Sequence, residues 1–402
     1  MSSLRKIEKI EKKNKRHSKR LSLHNLLNIV FPQKVNSPSP LSHIPANYLT
    51  HEQKREKCDE LFKLASNSYR RMISQLDNDK RIIMSTYYIL LRGMDTIEDD
   101  MTIPAEKKIT ILRNFYKLVQ QRGWTFNKCG PNEKHRQLLV EFDVIIEEFL
   151  SFSPEIQDIF VDVVKDMGNG MADYILLQEK SKYYVITIED YDRYCFHVCS
   201  IFCLGFGRIM NILNPELPDT DENYYLIKDV SFFIQKLDII KDFREDFHQN
   251  RVYWPRVIWS QYANDVSEFL DPNNKERALK CLSAMTFNAL SHLINSLEFL
   301  SKINDPVIFE IIALSIAVEF AYLTSIFRNH DVFTKHVTYQ GINEVKSQCK
   351  NLRDICILFK SNVKTIMKKN DLKDSKNYLK INKSCKKIEQ WCDRYLSNKM
   401  TM

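Results

Sequence analysis

The sequence predicts a single all-α domain, and three features carry that expectation. Helix breakers are scarce: the 402 residues include only 8 glycines and 12 prolines, and four of those prolines (Pro32, Pro38, Pro40, Pro45) crowd into one segment. Apolar residues recur at three- and four-residue intervals, as at positions 142, 145, 146, 149 and 150, which is the spacing of one helix face; the run 279–294 repeats the pattern. Two apolar stretches, 84–94 and 232–241, run directly into acidic segments, so both read as helices ending in charge.

Residues 1–45 stand apart from this body. Positions 4 to 20 hold nine Lys or Arg against two Glu, and residues 21–31 then turn apolar. That order suits a membrane anchor lying on the surface, or a basic tail followed by a short docking helix. It does not suit a secretory leader, because the first apolar run is short and follows a long charged stretch. The proline-rich stretch 32–45 reads as a linker into the body, residues 46–345.

Within that body lie the two acidic segments, Asp95-Thr-Ile-Glu98-Asp99-Asp100 and Asp242-Phe-Arg-Glu245-Asp246, far apart in the chain. Each sets two aspartates at i and i+4, so on a helix Asp95 stacks over Asp99 and Asp242 over Asp246. Like charges at that spacing repel, and carboxylates are seldom buried without a partner. One such segment alone reads as a solvated helix face paired with nearby Lys or Arg. Two of them, each closing an apolar helix, call for a cation, and Mg²⁺ fits: it prefers oxygen ligands, takes one or two carboxylates, and leaves the rest of its octahedron to water and phosphate oxygens. Asp95, Glu98, Asp99, Asp242, Glu245 and Asp246 are the candidate metal ligands.

The ten cysteines lack a CxxC pair or regular spacing, which points to a reduced chain without a disulfide framework. Cys195, Cys199 and Cys203 do stack at i, i+4 and i+8 near His197, where they are read as small core residues rather than zinc ligands. A net charge of +8 without RNA-binding or zinc-finger signatures argues for anionic diphosphates or acidic membrane surfaces as partners, not nucleic acid.

Taken with Met167-Gly-Asn-Gly-Met-Ala-Asp-Tyr174, Tyr194-Cys-Phe-His-Val and Arg251-Val-Tyr-Trp-Pro255, the acidic helices make the chain resemble the squalene synthase family, most closely its fungal form, from about residue 61 to about residue 329. The resemblance implies a helical isoprenoid-synthase-type bundle around a central cavity. It also implies condensation of two farnesyl diphosphates to presqualene diphosphate and NADPH-dependent reduction to squalene, a step of sterol biosynthesis; the alternatives are a diverged enzyme that stops at presqualene diphosphate or releases another terpene, and a non-catalytic relative that keeps the fold as an interaction module. By the same resemblance, the four aspartates and Tyr194 would be catalytic, and Arg92, Lys134 and Arg251 would clamp phosphate oxygens; Tyr88, Phe232, Phe233 and Trp254 are candidates to line the cavity, though any one of them alone is more commonly core packing. A monomer bound peripherally to the cytosolic face of the endoplasmic reticulum, or free in the cytoplasm, is expected.

The sequence also departs from the family. Ser66-Asn67-Ser68-Tyr69 lacks the family's arginine; Asn-Ile-Ile-Arg-Asp becomes Asp238-Ile-Ile-Lys241-Asp242; and Pro-Gln-Val-Met-Ala becomes Ser315-Ile316-Ala317-Val318-Glu319. The small-residue helix after the tyrosine is filled by Phe202 and its neighbours, which narrows the expected cavity. The basic segment associated with NADPH is replaced by Val337-Thr338-Tyr339-Gln340-Gly341, leaving Arg328 and Lys335 as the expected cofactor contacts and a weaker reductive half-reaction as the expectation. Residues 346–402 read as a Lys- and Asn-rich helical extension with no apolar run near the ~20 residues that span a bilayer.

Overall fold

In the computed structural model, residues 43–398 are described except 338 and 340, and among them every regular element is helical. The basic segment 4–31 lies outside the described residues. The first long helix, α1 (His51–Ala65), opens on a capping box in which Thr50 and Gln53 satisfy each other's backbone donors. It is followed by α2 (Asn78–Asp99), α3 (Ala105–Leu118), α4 (Phe142–Phe149) and α5 (Pro154–Lys180). The helix α6 (Ile188–Leu213) carries a π-turn at Phe196–Ser200 and leads to α7 (Tyr224–Lys241) and the short α8 (Phe243–His248). Then come α9 (Lys275–Leu290), α10 (Leu293–Lys302), α11 (Pro306–Ile326), α12 (Leu352–Lys369) and α13 (Ser375–Asn398).

The helix over 141–150 appears as expected. The periodic run 279–294 does not stay one helix: it breaks between α9 and α10. The Ser291 hydroxyl donates to Asn288 O at 2.6 Å, and His292 is held between Asp229 and Lys236 at 2.6 and 2.8 Å. That network ties α10 across α7, and Lys236 continues it to Asp192 on α6 at 2.6 Å.

Among the described residues two helices, α6 and α11, are long and apolar enough to cross a membrane. Most of α11 is nevertheless buried inside the array, where Phe320 meets Phe233 of α7 and Phe359 of α12 edge-on. The extension α12–α13 packs on the same body: Asn377 donates to Lys280 O and Trp391 to Glu298, both at 3.1 Å.

Close helix crossings depend on the missing side chain of glycine at two places. A Cβ on Gly168 of α5 would stand 2.3 Å from the Leu112 carbonyl oxygen on α3, and one on Gly93 of α2 would stand 2.4 Å from the Phe142 ring. The first contact is with backbone, which cannot rotate away. Gly168→Val is therefore expected to destabilise the protein by about 2 kcal/mol or more through overpacking, read as a lowered midpoint of chemical denaturation; an unchanged midpoint would show that the α3–α5 crossing is not tight.

Candidate active site

Asp95 and Asp99 fall on the last turns of α2, so they share a face as the spacing predicts. The second pair differs in detail. The helix α7 ends at Lys241, Asp242 sits at the break, and Asp246 lies in α8. The bond from Asp246 N to Asp242 O at 3.0 Å carries the i to i+4 stacking across that break. Asp100, by contrast, is a loop fastener: its carboxylate accepts from Thr102 N at 2.8 Å and from Gly130 N at 2.7 Å.

Basic residues sit between the pairs. Tyr88 stacks on Tyr69 with ring centroids 4.6 Å apart, and its hydroxyl accepts from Arg92, which in turn pairs with Asp95, both at 3.3 Å. Burial works against the Arg92 charge, but Tyr88, Asp95 and Asp99 outweigh it and hold the guanidinium's pKa above its ordinary value. Asn250 takes the left-handed conformation (φ 59°), which the residue tolerates better than most, and this turn brings Arg251 back over α8. There Arg251 pairs with Asp246 at 3.4 Å. Burial disfavours the Arg251 charge too, yet the fields of Tyr253, Asp246, Asp99 and Tyr194 raise its pKa. One guanidinium thus senses a carboxylate from each acidic segment and the hydroxyls of two tyrosines.

Tyr194 is fully buried on the second turn of α6, just ahead of the π-turn, stacked on Tyr253 at 4.5 Å and set edge-on against Tyr174 at 5.0 Å. Tyr253 belongs to the Arg251 motif but was not singled out from sequence, since an aromatic in an apolar run usually signals core. The loop bearing Lys134 also reaches the site. Its Glu133 has a raised carboxyl pKa, chiefly through burial and then through Asp99 and Asp100.

The acidic groups are electrostatically strained. Burial first, and then Asp238 and Glu245, push the Asp242 carboxyl up to about 7 against the opposing Lys241. Asp246 rises well above its ordinary value, again mainly through burial, with Asp242 and Glu245 adding to it. Buried oxygens Asp246 Oδ2 and Glu245 Oε2 accept no hydrogen bond among the described residues. Glu98 is almost wholly buried behind the first pair. This donor set fits a hard divalent cation. No three such groups already converge on one point among the described residues, so phosphate oxygens and water would complete the coordination.

The departures at 238, 241 and 319 prove to be one structural unit. Lys241 hydrogen-bonds Asp238 and pairs with Glu319 at 3.0 Å, and all three are buried. With two acids for one ammonium, burial raises both carboxyls, Glu319 to about 8. The glutamate on α11 therefore points to Lys241.

An apolar cavity of about 100 Å³ adjoins the Arg92–Tyr88 chain through Tyr69, and Phe202, Phe206, Met210 and Phe299 line it further. Three of the candidate aromatics take the alternative, core-packing role. Phe233 is core packing against Phe320, Phe232 lies against His292, and Trp254 joins a cluster with Phe243, Phe269 and Phe333. The expected cofactor contacts are also committed elsewhere. Arg328 reaches Asp371 at 3.2 Å, Asp374 at 3.8 Å and Glu276 at 3.9 Å, while the exposed Lys335 pairs with Asp331 at 3.1 Å. Cys195 and Cys199 are fully buried, with thiols pushed up in pKa, as core cysteines would be.

In metal-free protein the sign of the pH dependence follows from Asp242. Its folded pKa of about 7 exceeds the ordinary 3.8, so the folded state binds the proton more tightly and stability falls as pH rises across that window. Asp242→Asn is expected to be more stable than the parent at pH 8 in chelator, with the gap closing near pH 4; a gap constant with pH would refute this electrostatic account.

Comparison with known proteins agrees with this geometry. A family model described as squalene/phytoene synthase matches residues 62–342. The squalene synthase of Schizosaccharomyces pombe is 42% identical over 341 residues, covering 84% of this chain and 74% of the relative. That of Yarrowia lipolytica is 37% identical over 83% of this chain and 75% of its own length. Among solved structures, TcSQS with a bound ligand superposes with a TM-score of 0.79 at 26% identity, covering 86% of this chain and 99% of that one. A dehydrosqualene synthase shares the fold at a TM-score of 0.52 and 17% identity, over 77% of this chain and 98% of its own. With the acidic helix ends, the buried tyrosine and the apolar cavity in place, the chain belongs to the squalene/phytoene synthase family.

Proposed function

We propose that this chain is a farnesyltransferase of the squalene synthase type, condensing two farnesyl diphosphates to presqualene diphosphate and converting that intermediate to squalene. The observation that carries the reading is the position of Arg251, coupled to Asp246, Asp99 and Tyr194 at once. A farnesyl diphosphate has an anionic head and a long apolar tail. The site offers carboxylates and guanidinium groups for the head, and the cavity beyond Tyr69 for the tail.

Asp95, Asp99, Asp242 and Asp246, with Glu98 and Glu245 beside them, would hold Mg²⁺, which supplies the Lewis-acid neutralisation that makes diphosphate a better leaving group. Arg92 and Arg251 add fixed positive charge to the phosphate oxygens in a site largely closed to water, and Lys134 stands on the loop above them. The electron-rich faces of Tyr88, Tyr194 and Tyr253 suit the allylic cation left behind, and Tyr194 is the residue for proton removal or cation stabilisation during ring closure. Arg328 and Lys335 do not fit a role as NADPH phosphate contacts, so the reductive step is assigned to no residue of this chain. A monomer working against the cytosolic face of the endoplasmic reticulum completes the reading, since the product is a hydrocarbon and the chain carries a net charge of +8.

Asp95→Asn and Asp242→Asn are each expected to lower diphosphate release at least about a hundredfold while the protein stays folded. The assay is turnover of farnesyl diphosphate with and without Mg²⁺, with product identification. Turnover near the parental rate in either variant, or in chelator, would sink the assignment.

A further inference from the structure

Away from the catalytic centre, the turn joining α12 to α13 carries an unbalanced charge. Nine lysines and only two acids, Asp371 and Asp374, fall within residues 364–387. Both acids are already engaged by Arg328, at 3.2 and 3.8 Å, and Asp374 is buried. The negative charge of the segment is thus spent inward, while the lysines face outward without compensation.

These lysines border an open groove of about 520 Å³ between the start of α13, α9 and the loop at 260–264. Arg277, Lys280, Lys373 and Lys376 line it. Arg277 pairs with Glu268 at 3.1 Å and Lys376 with the Gln261 amide, but Lys280 and Lys373 make no ion pair among the described residues. A concave wall with uncommitted ammonium groups is suited to a phosphate-bearing anion. Beside it stand two large apolar side chains with no packing role: Leu372 is 72% exposed and Leu379 71% exposed. Leucine pairs flanked by lysine are costly in water and favourable at a bilayer surface, where the leucines enter the acyl boundary and the lysines meet headgroups.

We infer that the α12–α13 turn is a docking surface for acidic phospholipid, with the groove at Lys280 and Lys373 receiving a headgroup phosphate while Leu372 and Leu379 insert beside it. The committed occupant is a lipid rather than a soluble phosphate, because a soluble anion gives no role to the two leucines.

The test uses the full-length protein and vesicles of phosphatidylcholine alone or mixed with phosphatidic acid, at about 0.1 M salt, where surface attraction is only partly screened. Two variants are compared with the parent, Lys280→Glu with Lys373→Glu and Leu372→Ser with Leu379→Ser. The N-terminal segment contributes equally to all three. Each double variant is expected to bind acidic vesicles about tenfold or more weakly, with neutral vesicles bound poorly by all and farnesyl diphosphate turnover in detergent unchanged. Parental vesicle affinity in both variants would overturn the inference. So would loss in the lysine variant alone with saturable binding of glycerol 3-phosphate by the parent, which would make the groove a soluble-anion site.

Discussion

The arrangement rests on mutual repulsion between buried carboxylates held together by the fold. Helix ends α2 and α8 present their aspartates toward Arg92 and Arg251, and two guanidinium groups cannot neutralise the whole acidic set. Burial first, and then this repulsion, raise the Asp242 and Asp246 carboxyls above the usual carboxylate range. Apolar burial elsewhere in the bundle offsets this cost, as at α11, which is packed on nearly all sides. Folding therefore leaves an unsatisfied demand for positive charge at one place, which in the proposed function a diphosphate accompanied by divalent cations would meet.

The cluster of Asp238, Lys241 and Glu319 shows how such a site tolerates sequence change. Each replacement looks damaging alone, since it adds an acid or exchanges a forked donor for a point charge. Together they form a closed buried unit behind Asp242. The Lys241 ammonium is directed to Asp238 and Glu319 and lies 5.6 Å from the Tyr322 ring centroid. In the proposed function, the work of contacting diphosphate then falls to Arg92 and Arg251.

Much of this was legible in the sequence because helical period and paired aspartates are local signals. The spacing of Asp95 and Asp99 sufficed to place them on one face. The break at Asp242 was not legible, since no proline or glycine marks it. Nor was the α9–α10 break, which depends on tertiary partners of His292. Which aromatics line the cavity depends on tertiary packing, so nothing local in the sequence separates Phe206 and Phe299, which border it, from Phe233 and Trp254, which pack in the core. Arg328 read as a cofactor contact because its carboxylates Asp371 and Asp374 lie in an extension whose docking no local pattern encodes.

The central claim is that the two acidic pairs share one ligand-driven charge balance, and thermal melting tests it most directly. Mg²⁺ with inorganic diphosphate should raise the melting temperature of the parent by more than the sum of the two added singly, because each ion brings the charge the other lacks. In Asp99→Asn and in Asp246→Asn this excess should vanish, although the pairs lie on separate helices. An additive response in the parent, or an excess that survives either substitution, would contradict the account.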